Sequence, residues 1–205
     1  MKRIVAAAVV VACCALGGIG AGARGDARAG LLTCNDGTEQ PFSPWDDYSR
    51  YTLAPNGSFE QGATSWSLSG GAKVTADNNS LRAGRYSLSL PGGSSATSPE
   101  ICLKVGDPAT RFFLRNRGSS GTSVRVDITY RTLLGLLPVT QTLGYATAGG
   151  GWQPGPKYDH TLSTILATLG LADGASAAVR FRFTPIGSGN GFQIDDLFVD
   201  PLMTV

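Results

Sequence analysis

Hydrophobic and polar residues alternate along several short segments that are bounded by Gly, Pro, Ser or Asn. In the clearest one, Ser123–Arg131, Val, Ile and Tyr occupy every second position, and Arg, Asp and Thr occupy the positions between. Ala178–Thr184 repeats the pattern with Val and Phe on one face and Arg and Thr on the other. A period of two is typical of half-buried antiparallel strands. Both segments are therefore predicted to be strands with one face in the core.

Shorter segments with strand-like composition follow one another along most of the chain. They are predicted at 51–54, 58–60, 65–69, 72–76, 85–90, 96–103, 110–116, 139–146 and 192–199. Gly70-Gly71 is a two-residue hairpin signal between two of them, and 139–146 is placed to return antiparallel to 123–131. Leucines at helical spacing in 161–171 predict one short helix or turn. The whole pattern predicts an all-β, two-sheet antiparallel sandwich of the jelly-roll type.

The first residues have the layout of a secretory signal peptide. A basic start at Lys2 and Arg3 precedes an apolar run over 4–19, and small residues offer cleavage after Ala23 or Ala29. A membrane-spanning helix needs about 20 apolar residues, so this run is too short to favour a span. Residues 1–29 are therefore predicted to be removed, which leaves a secreted protein with no transmembrane segment.

A second interpretation of the same segment is a lipoprotein signal. Val10-Val11-Ala12-Cys13 resembles a bacterial lipoprotein cleavage box, and Cys13 would then carry the lipid. The apolar run continues past Cys13, which favours ordinary cleavage further along. Secretion is the preferred prediction, and anchoring at Cys13 is the alternative.

Charge gives no support for binding to nucleic acid. The full chain has 17 Lys and Arg against 15 Asp and Glu. Cleavage after Ala23 removes only Lys2 and Arg3 from these and leaves 15 of each sign. The slight basic excess belongs to the leader, so the mature chain has no general attraction for a polyanion.

The mature chain is long enough for one domain with a real core. The 28 glycines of the full sequence indicate many turns. Residues 30–50 are predicted to form an N-terminal arm, because Pro41 and Pro44 interrupt any strand ladder there. The β-sandwich domain is assigned to 51–205. Aromatic residues of the arm are expected to pack it against the sandwich; they are Phe42, Trp45 and Tyr48.

Two cysteines remain after cleavage, Cys34 and Cys102. An even pair in an exported chain favours a disulfide, which would tether the arm by closing a loop of about 70 residues and contribute roughly 4 kcal/mol. A metal site at these cysteines is the weaker interpretation, because the chain has no CxxC pattern and only one His.

The side chains suited to a ligand are aromatic residues and arginines. The candidate aromatic residues are Trp66, Trp152, Tyr145, Tyr158 and Tyr130. Of these, Trp66 and Tyr130 are assigned to the core, whereas Trp152 follows three glycines in a loop. The arginines of 123–131 and 178–184 lie opposite the apolar faces, so neighbouring strands would form one cationic face. Such a face is either simply solvated or a groove for an acidic polysaccharide. The predicted ligand-binding residues are Trp152, Tyr158, Arg125, Arg180 and Arg182.

Nothing in the chain favours catalysis. Asp195 and Asp196 are adjacent, so in a regular strand they point to opposite faces and cannot form a glycosidase pair, whose carboxyls lie about 5–10 Å apart across one site. The glycines of 187–191 do not have the spacing of a nucleophile elbow. His160 follows Asp159 and serines are abundant, but no motif in the sequence brings them together as a catalytic triad. The protein is therefore predicted not to be an enzyme.

Four motifs in order resemble those of a known family. Asn-Gly-Ser-Phe-Glu at 56–60 is followed by Trp66, by Gly-Arg-Tyr-Ser-Leu at 84–88 and by a terminal Ile-Asp-Asp at 194–196. Over about residues 51–201 the chain resembles carbohydrate-binding modules with the galactose-binding-like jelly-roll fold. The arm that carries Cys34 is not expected of that family.

The resemblance implies a structural calcium ion that joins the first and last strands. The matching positions are Glu60 and Asp196, with backbone carbonyls near Asn56 and Gly57. Calcium takes six to eight hard oxygen ligands, which carboxylates on adjacent strands can supply in part. The alternative is that both are ordinary strand-end residues that accept hydrogen bonds from turn amides.

The sequence as a whole predicts a secreted, non-catalytic, monomeric domain that binds carbohydrate, with an acidic or cell-wall polysaccharide as its partner. The alternative from another class is a structural or protein-interaction domain of the cell envelope without a sugar site.

Overall fold

The computed structural model describes residues 39–104, 109–118, 121–131, 138–160, 176–187 and 191–200. The predicted signal peptide, Cys13, Cys34 and the helix over 161–171 lie outside these residues. One 3₁₀ turn spans Ser43–Trp45. The strands are β1 (Thr52–Leu53), β2 (Ser67–Ser69), β3 (Lys73–Thr75), β4 (Ser87–Leu90), β5 (Ser95–Thr97), β6 (Ile101–Lys104), β7 (Ala109–Asn116), β8 (Ser123–Arg131), β9 (Pro138–Ala146), β10 (Gln153–Pro154), β11 (Tyr158–Asp159), β12 (Ser176–Ile186) and β13 (Phe192–Asp200). In the described part of the chain, no helix is long and apolar enough to cross a membrane.

The strands form two antiparallel sheets. The first sheet has seven strands in the order β10-β7-β13-β4-β3, with β1 beside β13 and β11 beside β7. The second has six strands in the order β2-β5-β12-β8-β9, with β6 beside β12. The prediction of an all-β, two-sheet antiparallel sandwich is confirmed, and 139–146 does return antiparallel to 123–131.

The first and last strands, β1 and β13, lie side by side. Thr52 pairs with Val199, and the turn after β1 continues the contact through Leu197, whose carbonyl accepts the Ala54 amide hydrogen at 2.8 Å. A bulge interrupts β13 between Asp195 and Phe198. At the bulge Asp196 adopts a left-handed backbone with φ 47°.

The main core lies between the two sheets and follows the alternation of the long strands. Phe181 and Phe183 of β12 are fully buried together with Val126 and Ile128 of β8. Trp66 and Tyr130 also belong to this cluster, as expected. The outward residues of the same strands are thereby fixed on the opposite, solvent-facing surface.

A second, smaller core lies where the arm covers the outer face of the first sheet. Phe42 is fully buried against Tyr51, Phe113 and Phe198, and an isolated bridge joins Glu39 to Tyr51. The expectation that every arm aromatic packs inward is wrong for Tyr48, which is 64% exposed. Phe42 is therefore an apolar anchor of the arm.

Gly70-Gly71 does not close a hairpin. β2 pairs with β5 in the second sheet, whereas β3 pairs with β4 in the first, so the two glycines carry the chain from one sheet to the other. Both have positive φ, and a Cβ on Gly70 would lie 2.5 Å from the Gly93 carbonyl oxygen. The close approach of two backbones, rather than a hairpin, requires glycine here.

Candidate functional site

The outer face of the second sheet brings Arg125, Arg180 and Arg182 together. Arg180 and Arg182 occupy alternate positions of β12, and β8 runs beside it with Arg182 opposite Asp127. Arg125 lies two residues before Asp127 on the same face. With strands about 4.8 Å apart, these side chains form one surface. We call it the arginine face and include Asp127 and Tyr145 in it.

Asp127 is the anionic centre of the arginine face. It is buried although it points outward, because neighbouring side chains cover it. Its carboxylate accepts hydrogen bonds from Arg125 Nε at 3.0 Å and from Thr142 Oγ1 at 2.7 Å. A buried carboxylate needs such donors to offset its desolvation. Asp127 therefore fixes the positions of Arg125 and Thr142.

The three arginines differ in how their charge is compensated. Arg125 is paired with Asp127, and Arg180 forms an exposed ion pair with Glu100 at 3.2 Å, which holds it only weakly. Arg182 donates to the hydroxyl of Ser95 at 3.1 Å, a neutral acceptor. Arg182 is thus an exposed cation oriented by a hydroxyl rather than neutralised by a described carboxylate.

Tyr145 supplies an aromatic ring to this surface. It pairs directly with Arg125 across β8 and β9 and is 57% exposed. Strict alternation from Thr142 would turn it inward, but a bulge opposite Val126 and Asp127 shifts the register. Tyr145 is among the candidate aromatic residues of the sequence but not among the predicted ligand-binding residues, since the bulge that turns it outward has no evident signal in β9 itself.

Trp152 and Tyr158 do not lie on the arginine face. Trp152 precedes β10 on the first sheet, packs against the second core and is covered by the Arg115 guanidinium, 4.8 Å above its ring centroid. Tyr158 is 5% exposed and stacks on Phe112 with 5.9 Å between ring centroids. Burial raises the pKa of Tyr158. The structure thus separates these two aromatics from the predicted arginines.

Asp195 and Asp196 approach the same residue, so the expectation that they point to opposite faces is wrong. The backbone N–H of Asn79 donates to the Asp195 carboxylate at 2.9 Å, and the side-chain amide of Asn79 donates to the Asp196 carboxylate at 3.0 Å. The bulge in β13 is the cause, since it breaks the alternation between them. Burial, with the neighbouring charge of Asp196, raises the pKa of Asp195 to about 8. Burial raises the pKa of Asp196 to about 6, against the opposing effect of Arg82.

The residues proposed for calcium are surrounded by N–H donors. Glu60 Oε1 accepts the amide hydrogens of Arg85 at 2.7 Å and Tyr86 at 3.0 Å. Asp196 faces Arg82, whose Nε lies 3.2 Å from the carboxylate. Among the described residues, no group of three or more His, Cys, Asp or Glu is arranged to hold a metal. Carboxylates that are already surrounded by N–H groups do not fit a calcium ion, which takes six to eight oxygen ligands.

His160 lies in the interior of the sandwich. It is 1% exposed, and its ring centroid is 5.8 Å from that of Phe181. Burial lowers the pKa of His160 to about 4, despite a hydrogen bond with the backbone of Ala109. A neutral, enclosed imidazole is not placed to exchange a proton with a substrate.

Comparisons with known proteins bear on the fold. No protein-family model matches the sequence, and no curated protein matches it. Among solved structures, the chain is similar to the CBM22-1 xylan-binding domain from Paenibacillus barcinonensis Xyn10C, with a TM-score of 0.52 and 13% identity over 77% of this chain and 97% of that one. It also matches TmCBM61 in complex with β-1,4-galactotriose, with a TM-score of 0.46 and 17% identity over 72% of this chain and 97% of that one. At such low identity the first likeness shows the fold alone: the chain folds as a carbohydrate-binding-module-like jelly roll.

Proposed function

We propose that this chain is a secreted, non-catalytic, monomeric domain that binds polysaccharide on the arginine face, with a preference for acidic chains. The observation that carries the proposal is the juxtaposition of exposed Tyr145 with Arg125 and Arg182 on one sheet surface. The arm covers part of the opposite sheet, whereas the outward residues of β12 and β9 are largely exposed.

Sugars offer two kinds of surface to a protein, and the arginine face has a partner for each. The C–H face of a pyranose packs on an aromatic ring, which Tyr145 provides. The hydroxyl groups of a sugar form hydrogen bonds with planar polar side chains or with side-chain hydroxyls. Thr140 and Thr142 project beside Tyr145 along β9, and Thr140 Oγ1 lies 2.9 Å from Thr129 Oγ1 on β8. These aromatic and hydroxyl side chains are spread over the neighbouring strands β8 and β9, which suits an extended sugar chain better than a single sugar.

The charge of the face favours an acidic ligand. Asp127 is occupied by Arg125 and Thr142, so it presents little negative charge to solvent. Arg182 has no carboxylate partner among the described residues, and the fork of its guanidinium matches the geometry of a carboxylate or a sulfate. A uronate or sulfated unit of a chain that packs on Tyr145 and crosses β8 would therefore reach this cation on β12, two strands from β9.

Affinity electrophoresis tests the proposal. The purified protein is run in gels that contain neutral or acidic polysaccharides, bacterial wall polymers included, at low and high salt. We expect retardation by acidic polymers that salt weakens, because exposed charges are screened beyond about 10 Å at moderate ionic strength. Arg182→Ala should weaken binding about 10- to 100-fold, as expected for one charge-assisted hydrogen bond of roughly 1.5–3 kcal/mol. Tyr145→Ala should weaken it as well.

Arg117→Ala is the matched control, because Arg117 is exposed and follows β7 in the first sheet. Removing its charge should leave the retardation unchanged. Equal retardation by neutral and acidic polymers, insensitive to salt, would contradict the preference for acidic chains. A folded protein that no polymer retards would favour the structural or protein-interaction role instead.

A further inference from the structure

Arg82 occupies the junction between the arm and the closing strand. Its Nη2 lies 2.7 Å from Glu39 of the arm, and its Nε lies 3.2 Å from Asp196 of β13. Its guanidinium carbon also lies 5.0 Å from the ring centroid of Phe198, in the second core. One side chain therefore contacts the arm, the bulge of the last strand and the cluster between them.

The loop that carries Arg82 is held by its own hydrogen bonds. Asn79 accepts the Arg82 amide hydrogen at 3.3 Å, and the Asn78 side chain donates to the Arg82 carbonyl at 3.2 Å. Asn79 in turn donates to both Asp195 and Asp196. The guanidinium is thus presented to Asp196 by a loop that is itself tied to β13.

Of the two positions that the resemblance assigns to calcium, Asp196 is faced by Arg82, and Glu60 accepts the amide hydrogens of Arg85 and Tyr86. Two adjacent buried carboxyls need a compensating positive charge or N–H donors, and both are provided by this chain. We infer that Arg82 is the resident counter-ion at the junction of the first and last strands, so that closure of the sandwich does not depend on a divalent metal. The same guanidinium fastens the arm through Glu39. The inference does not depend on carbohydrate binding.

Thermal unfolding of the purified protein tests the inference without any ligand. The melting temperature is measured in excess EDTA and in excess calcium chloride, for the native protein and for Arg82→Ala. Arg180→Ala is the control, because it removes an arginine from an exposed ion pair with Glu100. We expect the native melting temperature to be the same in EDTA and calcium. Arg82→Ala should lower it clearly more than Arg180→Ala does.

A native melting temperature that rises with calcium or falls in EDTA would overturn the inference, because a metal would then stabilise the fold. Equal losses in Arg82→Ala and Arg180→Ala would overturn it too. If Arg82→Ala does not fold, Arg82→Lys replaces it. A lysine keeps the charge but lacks the fork that reaches the carboxylates of both Glu39 and Asp196, so an intermediate loss of melting temperature is expected. A loss no larger than that of Arg180→Ala would again count against the role of Arg82.

Discussion

The arm is predicted to be an integral part of the fold, and Phe42→Ala is the change that tests this. Phe42 is fully buried, with its ring centroid 5.0 Å from those of both Tyr51 and Phe113. The guanidinium of Arg111 lies 4.5 Å over the same ring. Removal of the ring therefore empties the centre of the second core and takes away the partner of a cation.

The expected cost is that of truncating a buried aromatic residue, about 3–5 kcal/mol. For a domain of this size that loss lowers the melting temperature by roughly 6–20 °C. Polar contacts will not hold the arm alone: Asp47 accepts from Tyr51 at 2.7 Å and pairs with Arg111 at 2.8 Å, but both partners also pack on Phe42. Limited proteolysis should then cut the arm of Phe42→Ala faster than that of the native protein.

Trp45→Ala is the control for this prediction. Trp45 also contacts Phe113, but it is 38% exposed, so its removal should cost less. If Phe42→Ala and Trp45→Ala lower the melting temperature equally, or if neither changes proteolysis of the arm, the arm is not held by the second core and the reasoning fails.

Three further predictions concern a buried histidine, two glycines and the predicted disulfide. The pKa of His160 is lowered from 6.5 in the unfolded chain to about 4 in the folded protein, so the free energy of unfolding should fall as pH drops from about 6.5 towards 4, by at most about 3 kcal/mol. Denaturant titrations should show a flatter pH dependence of this free energy for His160→Gln. A pH dependence equal to that of the native protein would refute the prediction. Gly191→Ala should destabilise the fold strongly in the same titrations, because its Cβ would overlap the Leu90 carbonyl at a φ of 78°. Gly93 has a similar φ of 80° but open space around the position of a Cβ, so Gly93→Ala should cost only about 1–2 kcal/mol of backbone strain. Equal losses of stability in the two variants would contradict this reasoning. Mass spectrometry of non-reduced peptides should find Cys34 joined to Cys102, and free thiols on both would contradict the predicted tether.

Alternation in the long strands was sufficient to predict the fold class and the arginine face. Val126 and Ile128 point inward and Arg125 and Asp127 outward because side-chain direction in a strand is a local property with a period of two. Neighbouring β12 obeys the same rule. The sequence could therefore place these arginines on one face before their partner strands were known.

Bulges explain most of what the sequence could not predict. One bulge turns Tyr145 outward beside Arg125, and another brings Asp195 and Asp196 to the same asparagine. A bulge inserts one residue against the partner strand, so its position depends on pairing that a single strand does not encode. The crossing at Gly70-Gly71 was missed for a related reason, because a glycine pair is equally suited to a hairpin and to a close backbone contact.

Chemical-shift mapping tests the central proposal most directly. Amide spectra of the isotope-labelled protein are recorded during titration with an acidic oligosaccharide derived from the polymer that retards it most. We predict saturable shifts that cluster on β8, β9 and β12, around Tyr145 and Arg182, with little change near Trp152 on the first sheet. Shifts confined to the Trp152 side, or no shifts from any acidic or neutral oligosaccharide, would contradict the assignment of carbohydrate binding to the arginine face.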